Sequence, residues 1–525
     1  MSLTGVGSPS AGAGSRSSAS ARYVSPVRPH HRLLAPAAAG ALVLVVFAVA
    51  ARAHLAAAVI PQDEGLLLTY PDLVLRGGVP NGTFQSVYGP GTIYVLAGVF
   101  KVLGPGVLVE RLLGFGYRAL LATAVYLLLR RYSAPAAVIG AVVAAITAVT
   151  TPPTHASLGS LAFALLAVVA AHRATLTRGL ASAAASGLLA GVAVWFRPDV
   201  ALATGLGVVL LIVRWQRRQI SAATVGLLVG AVPTVLNLVQ AGPTRVLRSE
   251  LVEPIFVSSS GRKLPFTSLG PRFMLCGLVV LAIIVLLVGL GFWLRRRDPA
   301  GPVLMSLGLF SAGFIPYVLS RSDMWHLSVA APVPYAATPL LVACLRRHVH
   351  RPTWLVPAGA VLVAAVFAGS IGHAFHGTVK QSITPAPTVA VANAGRSVPT
   401  VDGTAQAIID QLEAAAAGTR ATVAILPADT SKAYRSDTYL YFLLPEHTPG
   451  TFYLEMDPGV ANGFDSRLSL DLSSVDYVIT NSADDDSVEP NTSRVSLSQA
   501  ANEVLRSKFV EVGHAGTFTL LRRAA

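Results

Sequence analysis

Charge is scarce in this sequence, and acid is scarcest where apolar residues are densest. Only 13% of the 525 residues are charged, 53% are hydrophobic, and the first 373 positions hold just nine carboxylates. With a mean hydropathy of +0.60, that scarcity excludes a water-facing globule and leaves a polytopic membrane chain. Cysteine is almost absent. Cys276 and Cys344 are the only two, and both lie in apolar stretches, so neither a disulfide framework nor a thiolate metal site is available. No repeat of fixed period occurs, which removes solenoid architectures. A net charge of +14 would suit a nucleic-acid partner, but its distribution does not. Residues 1–373 carry 29 basic and 9 acidic residues, a net +20, whereas residues 374–525 carry 11 and 17, a net −6. The two parts are built for different surroundings, and no nucleic-acid partner is expected.

What is present is a series of apolar runs near the roughly 20 residues a bilayer-crossing helix needs. Eleven are predicted, over 36–58, 113–129, 134–152, 157–171, 179–195, 199–213, 220–240, 273–294, 302–319, 327–345 and 353–373. Basic residues mark every second loop: Arg16, Arg22, Arg28 and Arg32; Arg130 and Arg131; Arg173 and Arg178; Arg214, Arg217 and Arg218; Arg295 to Arg297; Arg346, Arg347 and Arg351. Positive loops stay inside, so a multi-pass protein of the cytoplasmic membrane is expected, with its N-terminus in the cytoplasm and its C-terminal part outside. Of the nine acids only Asp298 falls in a basic loop; Asp63, Glu64, Asp72, Glu110, Asp199, Glu250, Glu253 and Asp323 fall on the other side. The outer face is therefore expected to carry the chemistry.

The domain reading follows. Residues 1–32, rich in Ser, Gly, Ala and Pro, read as a disordered cytoplasmic tail. A cleaved signal peptide is the competing reading, but the apolar run after the tail exceeds the ~7–15 residues of a signal core. Residues 33–373 form the membrane domain, with a long first outer loop over 59–112, and residues 374–401 read as a linker. Residues 402–525 read as a small extracytoplasmic α/β domain. Helix-like segments near 402–417, 459–473 and 496–507 alternate there with strand-like "TVAILP", "LYFLL", "FYLEM", "VDYVIT" and "FTLLRR", a pattern for a partly parallel sheet. It contains no zinc spacing, P-loop, nucleophile elbow or dinucleotide fingerprint. A packing or acceptor-guiding role without catalysis is expected of it.

Ionisable residues cluster in the outer loops. Asp63 and Glu64 end the first span; they either cap it and face water, or face a cavity, the usual fate of ionisable groups beside lipid. The stretch "GTIYVLAGVFKVLG" is amphipathic enough to lie along the interface and roof such a cavity. "WFRPD" places Arg197 and Asp199 in one outer turn, and "SRSDMWH" places Arg321, Asp323 and His326 in another. Arg245, Arg248, Arg262, Lys263 and Arg272 lie in the outer loop 241–272 against the positive-inside rule. They serve either a phosphate or neutralisation by Glu250, Glu253 and lipid headgroups.

The order of first span, "DEG", a "GG.P" turn, "YGPGTIYVLAG" opening at Tyr88, and an Arg-Leu-Leu before the second span resembles the GT-C superfamily of membrane glycosyltransferases. "WFRPDVAL" and "RSDMWHL" are similar to outer-loop motifs of its dolichyl-phosphate-mannose-mannosyltransferase-like bacterial members, a superfamily that includes aminoarabinose transferases. "DTYLYFLLPEHTPGTFYLEMDPGVAN" is similar to the tails of a bacterial subset. The resemblance covers most of 36–373 in topology, with short motifs. It implies a catalytic carboxylate at Asp63, with Glu64 beside it, and a polyprenyl-phosphate sugar as donor. Arg197, Arg262, Lys263, Arg321 and His326 become candidates for the donor phosphate, and Tyr88, Asp199 and Asp323 candidate cavity residues. Some members recruit a divalent cation, Mg or Mn, for which Asp63, Glu64 and Asp323 would supply oxygens; cationic side chains are the alternative. Expected acceptors are an envelope glycan, a glycolipid or a protein, with inversion at the anomeric carbon. The high Ala and Arg content suits a high-GC bacterium.

A flippase for a lipid-linked sugar is the second reading. It calls for broken helices or inverted repeats and for charges near mid-membrane, where only Arg52 and His54, in the outer third of the first span, are noted. A mere scaffold for the outer domain fits less well with ionisable groups in three separate loops.

Overall fold

A computed structural model describes residues 31–150, 156–267, 270–348 and 354–524. The tail arginines Arg16, Arg22 and Arg28, the end of the span expected over 134–152, and Arg351 lie outside them. The chain opens with α1 (His31–Leu55), then α2 (Asp63–Leu75) and α3 (Gly91–Leu103) in the long first loop. The bundle continues through α4 (Val107–Leu129), α5 (Ala134–Ala148), α6 (Ala156–Thr177), α7 (Leu180–Phe196), α8 (Val200–Ile212) and α9 (Arg217–Ala241). A loop of α10 (Pro243–Leu247), a π-helical stretch (Arg248–Val257) and α11 (Ser259–Arg262) leads to α12 (Gly270–Leu294). Then come α13 (Gly301–Ala312), α14 (Ile315–Ser320), α15 (Met324–Ala330), α16 (Pro332–His348), α17 (Leu355–Phe367) and α18 (His373–Ile383).

Helices occupy all eleven stretches expected to span. Among the described residues, six helices are long and apolar enough to cross a membrane alone, and the pair α15–α16, bent by 45°, makes a seventh. Helices α5, α7, α8 and α17 are shorter apolar helices. Helices α7 and α9 pack closely, and the sequence explains it. "GLLAG" (187–191) faces "GLLVG" (226–230): a Cβ on Gly187 would run into the Ala223 carbonyl, and one on Gly226 into that of Ala184. Glycines four apart let the two backbones touch, the usual device where lipid offers no hydrophobic drive. Two further arginines, Arg111 and Arg118, lie fully buried on α4, beyond the Arg52 and His54 noted from sequence. Cys276 and Cys344 are both free and buried.

The C-terminal part is a mixed-sheet domain. After a hairpin of β1 (Val389–Asn393) and β2 (Arg396–Thr400) come α19 (Thr404–Ala416), β3 (Thr422–Pro427), α20 (Tyr439–Leu443), β4 (Thr448–Pro449), α21 (Leu468–Leu472), β5 (Tyr477–Asn481), α22 (Ala500–Lys508), β6 (Phe509–Ala515) and β7 (Phe518–Arg523). The five-stranded order is β4-β3-β5-β7-β6, parallel on the β4-β3-β5 side and antiparallel through β7 and β6. Several expectations are corrected. Residues 374–401, read as a linker, hold α18 and the hairpin. "LYFLL" is helical, and "FYLEM" joins no strand: its backbone is satisfied by Gln85, whose N–H donates to the Phe452 carbonyl at 2.8 Å, and by the Asp471 carboxylate. The helix expected over 459–473 is confined to α21.

The domain is not a bead on a string. One hydrophobic core joins Leu66, Leu68, Phe84, Leu96 and Phe100 of the first loop to Val391, Val398, Ile408, Leu440 and Phe442 of the domain. Gly65 makes this approach possible, since a Cβ there would overlap Thr438 Oγ1 and the Tyr439 amide. Polar contacts reinforce it: Arg396 of β2 reaches Asp72 of α2 at 2.6 Å, and Thr69 Oγ1 donates to the Thr438 carbonyl at 2.9 Å.

Candidate active site

Asp63 and Glu64 occupy the first turn of α2, where the helix dipole favours negative charge. Consecutive helix residues point about 100° apart, and here that separates two roles. Glu64 is fully buried and clamps Arg111 of α4 through two bonds, Nε–Oε1 at 2.5 Å and Nη2–Oε2 at 2.9 Å. It also accepts the Ile60 N–H at 3.1 Å. The same guanidinium donates to the carbonyls of His54, Leu55 and Ala57. Glu64, expected beside the catalytic carboxylate, is thus the tie between the end of α1, the start of α2 and α4. Asp63 is half-buried and lines a cleft with Leu66, Tyr70, Tyr88, Gly89 and Ala156. Among the described residues its carboxylate has no hydrogen bond and no ion pair. Burial pushes the Asp63 carboxyl above its ordinary range, and Arg435, Arg321, His326 and Arg262 pull it back.

The "YGPG" stretch builds the cleft wall. A Cβ on Gly89 would sit 2.5 Å from the Trp195 carbonyl oxygen, and one on Gly91 2.5 Å from the Phe196 ring. Both glycines press the loop against the end of α7. Tyr88 is thereby brought under Arg197, whose guanidinium lies 5.4 Å from the Tyr88 ring and 4.7 Å from that of Tyr317. Burial raises the Tyr88 hydroxyl, so it stays protonated. Tyr70 stacks on Phe84 at 4.7 Å, and its buried hydroxyl has no partner among the described residues.

The cations expected to receive a phosphate are largely matched by carboxylates. Arg197 is held bidentately by Asp199 at 3.0 and 2.7 Å and donates to Ser157 Oγ at 2.7 Å. Arg262 pairs with Asp457 at 2.6 Å. Arg321 meets Asp323 and Glu489, both at 3.0 Å, and His326 Nδ1 lies 2.8 Å from Asp323 Oδ1 with its ring 4.7 Å from Tyr317. Lys263 is exposed and touches none of these groups among the described residues. Of the remaining cations in that loop, Arg248 is paired with Glu253 at 2.9 Å, in line with neutralisation.

The oxygens suggested for a metal do not converge. Both Glu64 oxygens are committed to Arg111, those of Asp323 to Arg321 and His326, and among the described residues no three His, Cys, Asp or Glu side chains form a cation site. The ligand set expected from sequence does not fit a divalent ion.

Three residues of the C-terminal domain join the site without having been expected there. Glu455 is buried and accepts the Gln62 Nε2 hydrogen at 3.0 Å. Burial pushes its carboxyl up to about 7, Arg262 opposing and Asp457 and Asp63 adding to the rise. Asp457 holds Arg262, and among the cations Arg435 pulls the Asp63 carboxyl down most strongly. Glu455 and Asp457 sit in the tail motif "FYLEMDPG", but only the docking of the domain reveals that Glu455 acts on Asp63 and that Asp457 holds Arg262.

No protein-family model and no curated protein matches the sequence. Solved structures do match the fold. ArnT from Cupriavidus metallidurans bound to undecaprenyl phosphate aligns over 93% of this chain and 98% of its own, at 13% identity and a TM-score of 0.56. Its apo state aligns over 94% and 98%, at 13% identity and 0.57. The arabinofuranosyltransferase AftD from Mycobacteria aligns over 94% of this chain and 40% of its own, at 14% identity and 0.47. The chain therefore shares the fold of ArnT, and it consists of an apolar helical bundle with a C-terminal sheet domain.

Proposed function

We propose that this protein is an inverting glycosyltransferase that moves a sugar from a polyprenyl-phosphate donor to a hydroxyl of an envelope glycan, glycolipid or protein at the outer face of the cytoplasmic membrane. The observation that carries the reading is Asp63: a half-buried carboxylate that lines a cleft, without a hydrogen-bond or ion-pair partner among the described residues, and within the electrostatic reach of Arg435, Arg321 and Arg262. ArnT, whose fold the chain shares, binds undecaprenyl phosphate, which supports the donor class.

In the proposed step the acceptor oxygen attacks the anomeric carbon while the bond from that carbon to the phosphate oxygen breaks on the opposite face. The hydroxyl proton passes to Asp63, and polyprenyl phosphate leaves with the bonding electron pair. A base raised above the ordinary carboxylate range accepts that proton more readily. Charge growing on the phosphate is met by donors already in place. Arg262 and Arg321 supply positive potential at Asp63, the protonated Tyr70 and Tyr88 line the cleft, and Arg197, held by Asp199, lies over Tyr88.

The test is Asp63→Asn in the full-length protein, assayed for sugar transfer from polyprenyl-phosphate donors. Loss of transfer with normal membrane insertion is expected; undiminished turnover would remove Asp63 as the base. Mass analysis of lipid-linked sugars in a deletion strain should show the donor accumulating outside, whereas trapping inside would mark a flippase.

A further inference from the structure

The site contains more arginines than it has free positive charge. Arg197, Arg262 and Arg321 each bring a carboxylate with them, so an incoming phosphate would meet three nearly neutral pairs. Arg435 differs. It is exposed, and among the described residues it has no hydrogen bond and no ion pair.

Its place is fixed by the residues around it. The Ser436 N–H donates to Gln62 Oε1 at 3.1 Å. Thr438 Oγ1 lies 3.0 and 2.9 Å from the carbonyls of Pro61 and Gln62, and the Tyr439 N–H reaches the Pro61 carbonyl at 3.4 Å. Segment 436–439 is therefore laced onto residues 61–62, immediately before Asp63, and Arg435 is the next residue out. Of the cations acting on Asp63 it acts most strongly. Close by, Tyr70 offers a buried hydroxyl with no partner among the described residues. An unpaired phenol and an unpaired carboxylate thus line one cleft, and an unpaired guanidinium acts on that carboxylate from the adjoining segment of the C-terminal domain. The guanidinium and the phenol suit the non-bridging oxygens of the donor's phosphate, which a guanidinium can bind bidentately, and the carboxylate suits the hydroxyl that attacks.

We infer that Arg435 of the C-terminal domain binds the donor's phosphate beside Asp63, so that the domain completes the active site. This rests on the glycosyltransferase reading above. Arg435 would hold the phosphate before reaction and stabilise the charge it gains as the anomeric carbon–oxygen bond breaks. The domain then contributes directly to binding and is more than packing.

The test is lipid binding by the full-length protein in nanodiscs, read by native mass spectrometry. Undecaprenyl phosphate is the probe, undecaprenol the phosphate-free control and phosphatidylglycerol the anionic-lipid control. Wild type should prefer undecaprenyl phosphate to both. Arg435→Ala should lose at least about tenfold of that preference, a charge-assisted bond's worth, and Arg435→Lys should recover part of it. Equal preference in wild type and Arg435→Ala overturns the inference while leaving the glycosyltransferase reading intact. A wild type that does not distinguish undecaprenyl phosphate from undecaprenol overturns both. Competition by phosphatidylglycerol at equal concentration overturns the donor as the ligand. Asp63→Asn should retain binding while losing transfer; if it retains both and Arg435→Ala still loses binding, the anion site stands and the assigned base falls.

Discussion

Replacing Glu64 by Gln, beside the same experiment on Asp63, separates two carboxylates that are neighbours in sequence and strangers in space. The Glu64–Arg111 pair has side chains only 1–2% exposed, so it is shielded from water and from salt. Breaking one side of a buried pair costs about 3–5 kcal/mol, because the remaining charge stays buried without its counter-ion. Gln keeps one acceptor oxygen, and three backbone carbonyls still face Arg111, which places the loss near the lower end. About 3 kcal/mol is roughly a hundredfold rise in the unfolded fraction, set against a total stability of about 5–15 kcal/mol. Asp63→Asn removes a carboxylate that no described residue leans on and whose ionised form burial disfavours, so it should melt no earlier than wild type while transfer falls about 10²- to 10⁴-fold. Thermal melting in detergent and transfer assayed on the same preparations give both numbers. Wild-type melting of Glu64→Gln, or early melting of Asp63→Asn, would refute the division of roles.

Three further outcomes are expected. Gly89→Ala should force the loop off the Trp195 carbonyl, costing about 1–3 kcal/mol and lowering transfer through the displaced Tyr88; a melting temperature and rate equal to wild type would count against that packing. Glu455 has a folded-state pKa raised from 4.5 to about 7, so its contribution favours folding below pH 4.5 and is lost as pH rises towards 7. Glu455→Gln should therefore stabilise the protein at pH 8, by at most about 3 kcal/mol, and not at pH 4, and melting at the two pH values checks the sign. Gly187→Leu should separate α7 from α9 and sharply reduce folded yield, measured by monodisperse recovery in detergent.

The bundle was legible because long apolar runs and alternating arginines are properties of the chain itself. The GT-C resemblance read from "DEG" and "YGPG" agrees with the fold. The hairpin β1–β2 escaped notice because its turn is Ala394-Gly395, with φ of +48° and +76°; such turns usually announce themselves with Asn-Gly. "LYFLL" has five apolar residues and so no period to show, and its burial on every side comes from packing against α2, β2 and β3. The Asp63 cleft was anticipated in place but not in composition. Which arginines are free and which are neutralised depends on Asp457 and Glu489, more than 160 residues away in sequence from Arg262 and Arg321, and nothing local signals that.

The shared core of the first loop and the C-terminal domain also bears on biosynthesis. Residues 60–100 leave the ribosome early, yet the strands and helices that bury Leu66, Phe84 and Leu96 are made only after the last membrane helix. Throughout insertion the segment carrying Asp63 must wait beside the bilayer with an unfinished apolar face. Chaperones at the translocation site, or the lipid surface itself, would have to shelter it. A nascent chain stalled before residue 440 would therefore expose that face to proteases, and the intact cleft would arise last, when α20 closes over α2.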